Sequence, residues 1–156
     1  MKKDWKVYVV SVLFTELVGF ISGLISREAM AMYGSMSDNV SLAPPAIVFP
    51  IVWTILYAFM GISVARIWLA PPSIMRTYAL RIYVIQLVVN FFWSIIFFNF
   101  KAYGFAFVWL VFLWGLIVWM IRRFAKVDTI AARIQIPYLV WVTFAAYLNL
   151  AVWLMR

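Results

Sequence analysis

The sequence contains no cysteine and no histidine. Disulfides, thiolate metal sites, iron–sulfur clusters and nucleophilic cysteine chemistry are thereby excluded. The imidazole ring is missing too, the usual general base and the commonest protein ligand of haem iron. Acidic residues are almost as scarce: Asp4, Glu16, Glu28, Asp38 and Asp128 are the only ones, and Glu16 alone falls inside an apolar run. Acid–base and metal chemistry are therefore poorly provided for, and neither catalytic residues nor metal ligands are assigned.

What is abundant is apolar side chain. Of the 156 residues 68% are hydrophobic and only 12% charged, against about a quarter charged in soluble domains. The mean hydropathy is +1.03. Such a chain belongs in a bilayer, and its length leaves room for little beyond the spans. The net charge of +8 does not point to nucleic acid, because the basic residues sit between apolar runs instead of forming one surface. It suits topological signals and attraction to anionic lipid.

A spanning helix needs roughly 20 apolar residues. Five stretches qualify: Val7–Ser26, Ala46–Ala65, Ile82–Phe100, Ala102–Ile121 and Ile134–Met155. Open sheets leave backbone groups unpaired in lipid, so the predicted fold is all-α, a single five-helix membrane domain over residues 1–156. The first stretch follows Lys2 and Lys3, as a signal peptide would. It is long for a signal core and holds Glu16, so it is read as a retained span. Lys2, Lys3, Lys6, Arg66, Arg76, Arg81, Arg122, Arg123, Lys126 and Arg133 fall on one side of the membrane. Arg27, Lys101 and Arg156 fall on the other. The positive-inside rule then puts the N-terminus inside and the C-terminus outside, and a bacterial cytoplasmic membrane is the expected location.

Three spans present an aromatic face with a few polar groups. In the second, Phe49, Trp53, Tyr57 and Gly61 recur at i+4. In the third, Gln86, Asn90, Trp93 and Phe97 share one side. In the fifth, Trp141, Ala145 and Asn149 do so, with Tyr138 adjoining. Amides near mid-membrane should face the bundle, where they either bond neighbouring helices or orient a ligand. Ala145 beside Trp141 suits either close packing or a pocket. Pro137 is expected to kink the entry to the fifth span. In the first span Gly19 and Gly23 have GxxxG spacing and are read as a helix interface, within the bundle or across a dimer. Glu16 is a functional candidate or a protonated hydrogen-bond donor. The fourth span holds Trp109, Trp114 and Trp119 and is assigned no site. Matches to sterol patterns are too loose to predict a sterol site.

Pro44-Pro45 with Phe49 and "VWTILY", then Gln86, Asn90, Trp93 and the Phe97-Phe98 pair, then "PYLVWVTFAAYLN" resemble the motifs of the TspO/MBR family. The resemblance covers nearly the whole chain. It implies a five-helix bundle, often dimeric, with a pocket covered by the first loop. It implies binding of porphyrins and other flat hydrophobic ligands, with porphyrin as ligand and not as axially ligated haem. The residues it implicates are Pro44 at the rim, Trp53, Tyr57, Asn90, Trp93, Phe97, Trp141, Ala145 and Leu148. Some bacterial relatives degrade porphyrin in light, and the two tryptophans concerned match Trp53 and Trp141; a turnover enzyme is not expected here. The first loop departs from the family pattern, with Tyr33 where a lid tryptophan is usual and Asn39-Val40 in place of lysine–proline. The leading reading is a receptor or sensor that contacts lipid and forms a homodimer. A transporter, a porphyrin-degrading protein and a protein-binding scaffold are the alternatives.

Overall fold

The computed structural model describes residues 4–27, 44–45 and 47–155. The helices are α1 (Asp4–Ile25), α2 (Val48–Leu69), α3 (Ile74–Ser94), α4 (Tyr103–Ala125), α5 (Thr129–Ile134) and α6 (Ile136–Leu154). A π-helical turn, Ile95–Asn99, continues α3. Counting α3 with its π turn and α5 with α6, five helices among the described residues are long and apolar enough to cross a membrane. The described residues contain no strand. Helices close their own backbone hydrogen bonds, which is what lipid demands of a spanning segment.

All five spans run past an end of their apolar stretch into charged sequence. The third begins at Ile74, not Ile82, because Ser73 follows Pro71-Pro72 and its hydroxyl accepts from the Arg76 amide at 3.1 Å. Arg76 lies over the Trp68 ring at 4.7 Å and donates to the Trp68 carbonyl through Nε and Nη2. The fourth continues to Ala125, where Arg123 lies over the rings of Tyr78 and Trp119 at 5.6 and 5.9 Å. Arginine stems can run along apolar surface while the head stays wet, so the charge does not end the helix. Before the fifth span, one Asp128 oxygen caps α5 through the amides of Ile130 and Ala131 while the other accepts from Arg66 Nε at 2.9 Å. That pair ties the end of α2 to the start of α5. The predicted kink at Pro137 is a break one residue wide, at Gln135. Proline lacks the N–H that a continuous helix would direct at the carbonyl four residues back.

α4 is the hub: it packs against α3, α5 and α6, while α2 meets α3 and α5. Met60, Ile67, Ile117, Met120, Phe124, Tyr138 and Val142 are fully buried. They fill the half of the bundle next to the α2–α3 and α4–α5 turns.

α1 stands outside this core, against α2 and part of α3. Its buried residues are Thr15 and Ser22, with Ser26 just beyond its end. Lipid gives apolar side chains little reason to prefer protein over acyl chains, so helices associate through close packing and hydrogen bonds. Both are present. Thr15 bonds the Tyr83 hydroxyl, and Ser22 donates to the Phe91 carbonyl at 3.1 Å. Ser22 and Ser94 share a hydrogen bond of 2.6 Å, and Asn99 donates to the Ile25 carbonyl at 3.0 Å. On the other side, the Val12 backbone lies directly on Gly61 of α2.

This seam makes a direct prediction. The chain has no cysteine, so a Ser22→Cys/Ser94→Cys pair would be its only thiols. Two side chains already in contact can reach the S–S distance of about 2.0 Å with little backbone movement. Mild oxidation is expected to give an intramolecular crosslink in most molecules, read as a gel shift reversed by reductant. No crosslink would mean that α1 sits in another register.

Candidate functional site

The half of the bundle away from the α2–α3 turn is hollow at one corner. α1, α2 and α3 surround a cavity of about 910 Å³, toward the upper end of the range for small-molecule sites. α2 contributes Phe49, Trp53, Thr54 and Tyr57; α3 and its π turn contribute Asn90, Trp93, Ser94 and Phe98. α1 supplies Leu13, Glu16, Leu17, Gly19, Phe20, Gly23 and Leu24, with Arg27 beyond its last turn.

The aromatic faces of α2, α3 and α6 do converge, and much of their polarity is spent on one another. Tyr57 donates to Asn90 Oδ1 at 2.7 Å, and Asn90 Nδ2 donates to the Tyr138 hydroxyl at 2.6 Å. Tyr138 then donates to Gln86 Oε1 at 2.8 Å. A second chain runs from Trp93 Nε1 to Asn149 Oδ1, 3.1 Å, and from Asn149 Nδ2 to the Tyr103 carbonyl, 2.8 Å. The amides thus join three helices, as buried polar groups in a low-dielectric interior must. Trp93 has given its N–H away, so it offers the cavity its ring.

The predicted residues accordingly divide into layers. Phe49, Trp53, Tyr57, Asn90 and Trp93 line the cavity. Gln86, Ala145, Leu148 and Asn149 are buried behind it. Trp141 packs edge-on against Phe49 with ring centroids 5.7 Å apart, so Phe49 separates it from the cavity. Phe97 is buried, stacked on Trp93 at 5.4 Å and edge-on to Tyr103 at 5.0 Å. Phe98 lines the cavity in its place. The cause is the π turn: its i→i+5 bonds put an extra residue into the turn, so an α-helical count no longer matches the face. Pro44 is half-buried and outside the lining, and Tyr33 lies outside the described residues.

The α1 wall was legible only in part. Glu16, Gly19 and Gly23 share a face, and extending that face by one turn reaches Arg27. The two glycines behave differently. A Cβ on Gly19 would stand 2.1 Å from the Tyr57 ring, whereas one on Gly23 would meet nothing within 4 Å. Within the described bundle the spacing is therefore one close contact plus one open patch of wall. The α4 tryptophans serve packing: Trp109 donates to the Val89 carbonyl at 2.8 Å and Trp114 to Thr143 at 2.9 Å.

Comparison with known proteins agrees with this architecture. Residues 11–154 match the model of the TspO/MBR family. The chain is 33% identical over 139 residues to a protein named tryptophan-rich protein TspO from Chlorobaculum tepidum, 86% of each chain. It is 34% identical over 152 residues to a tryptophan-rich sensory protein of Cereibacter sphaeroides, covering 96% of this chain and 90% of the relative. It is 32% identical over 156 residues to a translocator protein of Sus scrofa, covering 98% and 92%.

Proposed function

The chain belongs to the TspO/MBR family, and from that membership we propose that this integral membrane protein is a receptor or sensor for porphyrins and similar flat hydrophobic molecules. One observation supports the reading above others. The intramembrane cavity is faced by Phe49, Trp53, Trp93 and Phe98, while the neighbouring amides are bonded mainly to protein. Such a wall favours a conjugated ring system that stacks, with few polar contacts to fix its orientation. The relatives' names, sensory protein and translocator protein, suit a binding role. The arginines at the α2–α3 and α4–α5 turns favour placing that end, with the N-terminus, on the cytoplasmic side.

The test is titration of detergent-solubilised protein with protoporphyrin IX, following tryptophan quenching. Wild type should saturate. Trp53→Ala and Phe98→Ala each remove one stacking surface worth about 0.5–1.5 kcal/mol, so each should weaken affinity by about two- to tenfold. Phe97→Ala should instead lower stability, its ring being enclosed by Trp93, Phe98 and Tyr103. Unchanged affinity in the Trp53→Ala/Phe98→Ala double variant would remove this cavity as the binding site.

A further inference from the structure

Two charged side chains on the cavity wall are unpaired among the described residues. Glu16 and Arg27 both line it, and neither forms an ion pair or hydrogen bond with a described residue. The hydroxyls nearby are already engaged. Tyr57 donates to Asn90, Ser22 to the Phe91 carbonyl, and Thr15 to the Ser11 carbonyl. Glu16 therefore faces the cavity as an acceptor without a donor among the described residues. An intramembrane carboxylate left in that condition is expensive, and a cavity-facing one is a candidate ligand contact.

Glu16 sits within α1, near its middle, and Arg27 two residues past its last residue, Ile25, and both reach the same cavity. Between them Gly23 leaves the surface open, and Trp53 and Trp93 face the same cavity from the other helices. The cavity wall thus carries an acceptor within the α1 span and a guanidinium past its end.

Resting on the receptor reading above, we infer that the cavity selects flat aromatic ligands with two unlike ends, a carboxylate paired with Arg27 and a protonated or N–H nitrogen paired with Glu16. Guanidinium–carboxylate pairs are directional and charge-assisted. Hydrogen bonds to a charged group contribute about 1.5–3 kcal/mol, so even the lower part of that range gives tenfold selectivity for each end. The ligand's orientation follows: carboxylate outward, nitrogen inward.

One ring system tests both ends. Acridine, an acridine carboxylic acid, 9-aminoacridine and an aminoacridine carboxylic acid are titrated against wild type, Arg27→Gln and Glu16→Gln. In wild type the bifunctional compound should bind about 100-fold more tightly than acridine. Arg27→Gln should cost about tenfold for the two carboxylates and nothing for the others. Glu16→Gln should cost about tenfold for the two amines and nothing for the others. Acridine itself reports that each variant is folded with its cavity intact. Equal wild-type affinity for all four compounds, or losses that ignore the functional group, would overturn the inference while leaving the receptor reading in place. No saturable binding of any of them, or of protoporphyrin, would remove the receptor reading and this inference with it.

Discussion

Gly61→Leu is expected to detach α1 from the bundle. A Cβ at this position would stand 2.5 Å from Val12 Cα and 2.8 Å from Val12 N. Both are backbone atoms, so no rotamer change relieves the overlap and the helix itself must move. The movement also breaks the hydrogen bonds from Thr15 and Ser22 to α3, because both contacts hold the same helix. Overpacking alone costs about 1–3 kcal/mol, and each lost hydrogen bond adds about 1 kcal/mol. A fall of about 3 kcal/mol or more is expected in reversible unfolding by denaturing detergent in mixed micelles. Because α1 forms one wall of the cavity, saturable ligand binding should disappear together with the Ser22→Cys/Ser94→Cys crosslink. Native stability with the crosslink retained would show that α1 and α2 do not approach at Gly61.

Gly23→Phe should give the opposite pattern, an intact fold with an obstructed cavity. No described atom lies within 4 Å of a Cβ built on Gly23, so the first side-chain carbon enters without a clash and the ring extends into the cavity. Replacing a helical glycine also removes a propensity cost of about 0.5–1 kcal/mol relative to alanine, so stability should hold or rise slightly. The new ring, however, occupies the open strip of wall between Glu16 and Arg27. A flat ligand then loses one stacking surface and meets overlap on the other, for which about 3 kcal/mol, or about 100-fold in affinity, is expected. Wild-type affinity for protoporphyrin IX in a stable Gly23→Phe protein would place the ligand elsewhere. The pair of variants separates the two glycine uses on one helix interface: at Gly61 a side chain has nowhere to go, and at Gly23 it has only the cavity.

The spans were legible because hydropathy and backbone chemistry act locally. Twenty apolar residues in lipid must close their own hydrogen bonds, and a helix is the way one segment does so. The helix ends were less legible. Ser73 and Asp128 cap helices inside polar sequence, and Arg76 and Arg123 rest on aromatic rings within them, so composition alone stops each span too soon. Gln86, Asn90 and Asn149 were correctly placed toward the interior, because an unsatisfied amide in hydrocarbon is costly wherever it sits. Whether they face one another or an open cavity depends on where Tyr138 and Trp93 come to rest. That is a property of three helices together.

By itself the amino-acid sequence determined that this is an integral membrane protein of five spans, which faces carry amides and aromatics, and which family it joins. Only the tertiary structure decided that α1 instead of α6 closes the cavity, that Phe98 replaces Phe97 on its wall, and that Trp141 stands one layer back. The physical reason is that lipid, a packed core and a dry cavity are all apolar. Hydropathy cannot tell a leucine facing acyl chains from one facing a ligand. The distinction arises from backbone contacts such as Gly61 on Val12 and from register changes such as the π turn, which no single helix specifies.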